Sequence, residues 1–480
     1  MVIWGYLGAL VYGIVCLLFG TLAYKLGMPK KYTRKIVHIL IGAEWFILYH
    51  TMGASLHFIA VCLIFTALIA VSYFKNLMPM ISSDNDNAPG TVYYCISMTV
   101  MATVSYFVGD FVLPFGIAVL CTSVGDGFAC VVGSAIRRHN PSIYKKKSLF
   151  GTLSAFVLSF VFVYVFSVAY QLPLGIAGAL LVALLAAGME LVTEFGLDNI
   201  SIPLTSAAFA YFLAFYPATY SYAVPVVATP FIIALALGRG ILTKKAVVYA
   251  VICDVCVSVT LGNFGFVLLL SFLLLSVVVD KIKKRFKKAA DDVSARGDNR
   301  DEVQVIANGA VPVAMALLFW LSGEKAFVIG YCAALAECFA DTCASGIGMA
   351  AKGAFDIFKM KPVKKGLSGG MSWQGTVASV IAPLMFSTIA IAFGVLSIKE
   401  LLIVSLSASL GAFFDSFLGS LAQSKFKCTE CAEITEKACH CGKPTELVSG
   451  LHGVNNDVVN VLSVAFTAII SVVAYAAIVF

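Results

Sequence analysis

The 480-residue chain is 60% hydrophobic and only 12% charged, with a net charge of +7 and a mean hydropathy of +0.94. That balance excludes an ordinary soluble protein of this length, and no nucleic-acid partner is expected. The chain reads as an all-α, multi-pass integral membrane protein.

The first apolar stretch, Val2 to Tyr24, is long enough to span a bilayer and lacks a charged leader or small-residue cleavage site, so a retained helix is expected. Windows of about 17 to 23 residues predict about sixteen transmembrane helices. They lie at 2–24, 36–52, 54–74, 92–108, 112–132, 150–170, 172–192, 202–216, 226–243, 246–262, 264–280, 303–321, 325–346, 374–394, 399–421 and 456–478. Lysines and arginines gather at 25–35, 137–147, 244–245, 281–288, 359–365 and 425–443, all on one side of that count. The positive-inside rule makes that side cytoplasmic, with both termini outside. A Tyr/Pro-rich stretch beginning at Tyr216 marks a boundary, dividing the chain into 1–216 and 217–480, and the charged segment from Lys281 to Glu302 reads as a partly helical cytoplasmic loop.

One order of polar elements occurs twice in this apolar chain. Asp126-Gly-Phe-Ala129-Cys-Val-Val-Gly133 is matched by Asp341-Thr-Cys-Ala344-Ser-Gly-Ile-Gly348. A lysine-rich loop follows each, then Ser-x-x-Gly-Thr, as Ser148, Gly151 and Thr152 or as Ser372, Gly375 and Thr376. Next come an acid near a helix end, Glu190 or Asp415, and an Asp/Asn pair opening a later helix, Asp198-Asn199 or Asn456-Asp457. The eighth-helix offset is even, so the two related halves are parallel rather than inverted repeats.

An intramembrane aspartate costs several kcal/mol to keep charged unless a cation or polar cavity receives it. Asp126 and Asp341 both stand among small residues and precede basic loops, with Lys145, Lys146 and Lys147 in one and Lys361, Lys364 and Lys365 in the other. Carboxylates, lysines and Gly-Ser-Thr turns suit a magnesium-bound polyphosphate. Asp198, Asn199, Asn456 and Asp457 would add metal ligands or the base that orients an attacking oxygen. No P-loop of the form G-x-x-x-x-G-K-[ST] is present. Arg34 and His38, four residues apart, project from one face of a helix and would meet a phosphate or reacting hydroxyl.

With Arg34-Lys35-x-x-His38-x-x-x-Gly42, the Asp126 motif, Lys147-Ser148-Leu-Phe-Gly151-Thr152 and Glu190 through Asp198-Asn199, residues 30–210 resemble the polyprenol kinase family that includes dolichol kinase and phytol kinase. Residues 228–478 resemble a related membrane family that includes phytyl-phosphate kinase. The matching segments run from Arg300 through Asn308-Gly309, from Glu337 through Asp341 to Gly348, from Lys365 through Ser368, Ser372 and Gly375-Thr376, and from Asn455 to Asn460. At Gly346 this chain departs from the glutamate of that family, and Glu337, one turn before Asp341, is the substitute metal ligand. The resemblances imply CTP, or another nucleoside triphosphate, as donor and magnesium held by Asp126, Glu190, Asp341, Glu337 and Asp415. Together they imply a fusion that converts an isoprenoid alcohol (phytol, geranylgeraniol or farnesol) within the lipid bilayer into its monophosphate and then its diphosphate, at sites facing the cytoplasm. A CTP-dependent lipid cytidylyltransferase is the alternative enzyme; a transporter or flippase using Asp126, Asp254 and Asp341 as an ion path is the alternative class.

Four of the fourteen cysteines crowd into the hydrophilic loop 424–455, as Cys428-x-x-Cys431 and Cys439-His440-Cys441. In a reducing compartment such a cluster favours structural zinc over disulfides, with His440 able to replace one thiol. Cys253-x-x-Cys256, within an apolar helix, reads as packing.

Overall fold

The computed structural model describes residues 1–75, 77, 89–136, 140–286 and 300–479. The remainder of the basic cluster at 137–147 and of the 281–302 linker, namely 137–139 and 287–299, lies outside the described residues. Two compact units emerge, Met1–Arg239 and Gly240–Phe480. The division falls beyond the boundary expected at 216, because Pro217–Tyr222 and the Ala223–Gly238 helix pack with the first unit.

Twelve helices among the described residues are long and apolar enough to cross a membrane. Other expected segments are helical but shorter or more polar. Residues 36–52 fall into Lys30–Ile41 and Glu44–Met52, broken after Gly42, and Gly90–Phe107 and Asp198–Phe215 carry several Ser, Thr, Tyr or Asn residues. The segments expected at 246–262 and 264–280 run as Lys244–Phe286, interrupted where Gly262 adopts φ 61° and ψ −150°, a conformation that glycine alone adopts readily.

The helices containing Asp126 and Asp341 are the most deeply buried of the twelve. In the first unit, Val112–Leu120 continues through a π-helical stretch, Cys121–Asp126, into Gly127–Ala135. Ile117, Val163, Val182 and Ile202 pack the core around it. In the second, Lys325–Gly348 is surrounded by Glu302–Ser322, Trp373–Ala392, Ile398–Leu421 and Asn456–Val479, and Tyr331, Leu335, Phe386 and Val404 fill its core. Peripheral helices turn apolar side chains outward instead. Val2–Lys25 exposes Leu7, Val11, Ile14 and Leu18 while burying Gly5, Ala9, Gly13, Cys16 and Gly20, the small-residue face expected where membrane helices pack closely.

Each central helix leads into a two-stranded hairpin, Ser142–Tyr144 with Lys147–Ser148 or Ala354–Asp356 with Lys361–Val363. The Ser-x-x-Gly-Thr element then starts the next helix in the same way in both units. Ser148 Oγ accepts from the Gly151 amide and Ser372 Oγ from the Gly375 amide, each an N-cap. A Cβ on Gly151 would stand 3.0 Å from the Ala129 carbonyl oxygen, and one on Gly375 would stand 2.8 Å from that of Ala344. Gly133 and Gly348 face the same two glycines from the central helix. The repeated spacing thus encodes one close helix crossing, made once in each unit. Since a backbone carbonyl blocks the added methyl, Gly151→Ala and Gly375→Ala should each destabilise by about 1–3 kcal/mol, read as a lowered Tm in detergent. Wild-type Tm in both variants would remove this explanation of the repeat.

Candidate functional site

In the first unit the buried π-helical turn brings Asp126 to Lys35 of the Lys30–Ile41 helix, with Lys35 Nζ 2.5 Å from Asp126 Oδ2. Insertion of one residue into a helix rotates the side chains that follow, and such bulges cluster at functional positions. His38, one turn after Lys35, lies 3.9 Å from the same carboxylate oxygen through Nε2, which contacts the Thr122 carbonyl at 3.1 Å. A carbonyl only accepts, so Nε2 carries the hydrogen in neutral His38 and Nδ1 is left as the acceptor. The His38 ring also meets Tyr94 edge to face at 4.9 Å.

A second charged group adjoins the hairpin. Lys147 Nζ lies 2.6 Å from Glu190 Oε1 and 3.9 Å from Asp198 Oδ2. Burial pulls the Lys147 pKa down, but Glu190, Asp198 and Asp126 outweigh it and hold the pKa above the ordinary lysine value. Asn199 donates its side-chain amide to Asp198 Oδ1 at 2.8 Å, and its carbonyl receives Ser97 Oγ–H at 2.8 Å. Glu190 Oε2 and Thr152 Oγ1 are buried with no hydrogen-bond partner. Arg34 is half-buried, Lys146 is exposed, and Lys145 pairs with Glu194.

Of these groups, Arg34, Lys35, His38, Tyr94, Asp198 and Asn199 line a cavity, together with Leu17, Trp45, Leu48, Phe58, Val61 and Phe115. The polar lining comes from the opening turns of Asp198–Phe215 and from the Lys30–Ile41 helix. Later turns of the polypeptide, Trp45 and Leu48, contribute apolar surface. Glu44 interrupts that surface with a buried Oε1 that has no hydrogen-bond partner. Sequence reasoning passed over Glu44 and Tyr94, although a single acid within the apolar 36–52 stretch is a readable signal.

The second unit gathers carboxylates. Ser463 Oγ lies 2.9 Å from Glu337 Oε1 and 3.4 Å from Asp415 Oδ2, linking two helices through a third, and Asp341 follows Glu337 by one turn. Asn456 donates to Asn460 Oδ1 at 3.0 Å on the helix that Asp457 also opens. Asn460 closes the Asn455–Asn460 segment noted from sequence, whereas Ser463 was not singled out; its i+3 spacing from Asn460 on one face is the available clue. Arg300 is engaged by Asp280 at 2.8 Å and Ser276 at 2.9 Å, and the Asn308 carbonyl receives the Cys338 thiol at 3.7 Å. In the basic loop, Lys364 Nζ meets Glu433 at 2.5 Å, Lys365 Nζ contacts the Met349 carbonyl at 3.5 Å, and the Ser368 amide donates to Glu436 Oε1 at 2.9 Å. Thr376 lies in the first turn of its helix, where its amide bonds to the Ser372 carbonyl at 2.8 Å.

Of the five cysteine-loop candidates, Cys428, Cys431, His440 and Cys441 have their ligand atoms within 4.8 Å of one another, and Cys439 lies outside that group. Cys439 is instead paired across the sheet with Pro444.

These geometries define a polytopic membrane protein that keeps charged and hydrogen-bonding groups inside an apolar helix bundle. The sequence profile of the integral membrane protein family DUF92 matches residues 227–468, and the chain belongs to that family. It is also similar to phytol kinase of Synechocystis sp., at 33% identity over 221 residues that make up 43% of this chain and 87% of that protein. An uncharacterized Synechocystis membrane protein is 27% identical, covering 42% of this chain and 80% of its own length. Protein VTE6, chloroplastic, of Arabidopsis thaliana is 24% identical over 44% of this chain and 58% of that protein. No solved structure matches.

Removing one member of a buried pair leaves an uncompensated charge at a cost of about 3–5 kcal/mol. Lys35→Met should therefore lower Tm in detergent sharply, and adding Asp126→Asn should restore much of the loss. Equal Tm for the single and double variants would show that the pair is not a stability determinant.

Proposed function

We propose that the first unit phosphorylates a long-chain isoprenoid alcohol, such as phytol, geranylgeraniol or farnesol, and that the second phosphorylates the resulting monophosphate. CTP is the proposed donor in both steps. The observation that carries this reading is the cavity of the first unit, which combines apolar walls at Trp45, Leu48, Phe58 and Phe115 with Lys35, His38, Asp198 and Asn199. An alcohol with a long apolar tail complements both surfaces, and the phytol kinase similarity supports phosphorylation as the reaction.

His38 Nδ1 takes the hydroxyl proton as the alcohol oxygen attacks the terminal phosphorus. The bond from that phosphorus to the bridging oxygen breaks, and the nucleoside diphosphate leaves with the bond's electron pair. Lys35 and Lys147 offset the negative charge of the phosphates. Glu190, whose Oε2 is buried without a hydrogen-bond partner, and the neighbouring Asp126 and Asp198 suit a magnesium ion. Glu337, Asp341 and Asp415 are the corresponding oxygen donors in the second unit. Magnesium would supply charge neutralisation at the transferring phosphate. In the second step the monophosphate oxygen is already ionised at neutral pH, so positioning and charge screening by Lys364 and Lys365 replace proton removal. In this reading both sites open toward the cytoplasm, and the basic clusters, through the positive-inside rule, support that orientation.

Purified protein should convert geranylgeraniol to labelled lipid phosphate with γ-labelled CTP and magnesium, releasing CDP. Release of pyrophosphate would favour cytidylyl transfer, and nucleotide-independent substrate flux in sealed vesicles would favour transport. Val61→Trp, which fills the cavity, should lower kcat/KM for geranylgeraniol by about tenfold or more while sparing geraniol, since each displaced methylene forfeits ~0.8 kcal/mol of burial. Equal losses for both alcohols would show that this cavity does not hold the tail.

A further inference from the structure

We propose that Cys428, Cys431, His440 and Cys441 bind one zinc ion, which holds the small sheet between Ile398–Leu421 and Asn456–Val479 against the basic loop of the second unit. Zinc coordinated tetrahedrally at about 2.3 Å from sulfur and 2.0 Å from nitrogen leaves ligand atoms about 3.8 Å apart for S···S and about 3.5 Å for S···N. The Cys431 and Cys441 sulfurs are 3.8 Å apart, and His440 Nδ1 lies 3.4 Å from the first and 3.3 Å from the second. Cys428, buried at the end of its strand, completes the set. Three thiols and an imidazole, with no remaining position needed for water, make a closed structural site.

The surrounding backbone fits that role. Ala432 and Cys441 adopt φ 60° and 51°, left-handed conformations that cost side-chain-bearing residues energy and that metal coordination would hold in place. Strand alternation alone would put Cys439 and Cys441 on one face; the left-handed turn at Cys441 brings His440 and Cys441 together instead. The segment between the two ligand pairs carries Glu433 and Glu436, which hold Lys364 and the Ser368 amide. Lys359 adds a second tie, donating to the Ser420 carbonyl at 2.6 Å and to Ser449 Oγ at 3.2 Å. Zinc thereby orders the loop that carries Lys364, Lys365 and Ser368. Only the consequence for catalysis rests on the proposed kinase reading; binding of the ion and ordering of the loop do not.

The test is metal analysis of full-length protein purified under reducing conditions without a metal-affinity tag. About one zinc per chain is expected in wild type and in Cys439→Ser, and near none in Cys431→Ser or Cys441→Ser. Cobalt(II) exchanged into wild type should give the intense visible bands of a tetrahedral thiolate site, which keeps the proposal testable if the variants fail to fold. Trypsin should cut after Lys364 or Lys365 at least ~10-fold faster in Cys431→Ser than in wild type, as expected of a loop released from a local fold. Zinc-free wild-type protein with all four loop thiols freely reactive would overturn the site. Equal zinc loss in Cys439→Ser would overturn the ligand assignment, and unchanged loop cleavage would overturn the clamp. All three readouts are independent of kinase activity.

Discussion

Charge inside an apolar helix bundle is tolerable only when it is compensated, and the Lys35–Asp126 contact is where the first unit meets that demand. The pair determines which helix faces must meet: Lys30–Ile41 has to lie against the central helix at its π-helical turn, and His38 follows one turn behind. Lys147 imposes a similar condition between the hairpin and the helices carrying Glu190 and Asp198. Two lysines and three carboxylates thus interlock, and two of them, Lys35 and Asp198, line a cavity whose walls are otherwise largely apolar. The proposed ligand, with phosphate at one end and hydrocarbon at the other, would complement both kinds of surface.

The second unit keeps the same local scaffold with different polar contents. A central helix, a hairpin, a serine-capped helix and a glycine crossing recur, but Glu337 and Asp415 share Ser463 where the first unit has Lys–Asp and Lys–Glu contacts. The basic loop is tied to the four-stranded sheet by Glu433 and Glu436, and the first unit has no comparable sheet among the described residues. An acceptor that already carries a phosphate arrives with more negative charge than an alcohol. In the proposed second step, the lysine loop tied to this sheet would screen that added charge.

Much of this was legible because a membrane chain spends polar residues sparingly. Asp126, Asp341 and the Ser-x-x-Gly-Thr elements stood out against long apolar runs, and the helices largely followed hydropathy. What the motif spacing could not reveal was the work done by each residue. Ser148 and Gly151 read as a phosphate turn, yet their spacing also produces a helix cap and a backbone-to-backbone crossing. Contacts such as Lys35 with Asp126 or Lys364 with Glu433 join positions far apart in sequence and depend on helix rotation, which composition does not report. The choice of His440 over Cys439 similarly required the left-handed backbone at Cys441.

In the proposed function two sites act in sequence on one lipid. The most direct measurement of that order is the distribution of labelled geranylgeranyl monophosphate and diphosphate formed by wild type, Asp126→Ala and Asp341→Ala. Wild type should give diphosphate, Asp341→Ala should accumulate monophosphate, and Asp126→Ala should give no product from alcohol while still phosphorylating added monophosphate. Diphosphate formation by Asp341→Ala at the wild-type rate, or loss of both steps from Asp126→Ala in a correctly folded protein, would contradict the proposed order.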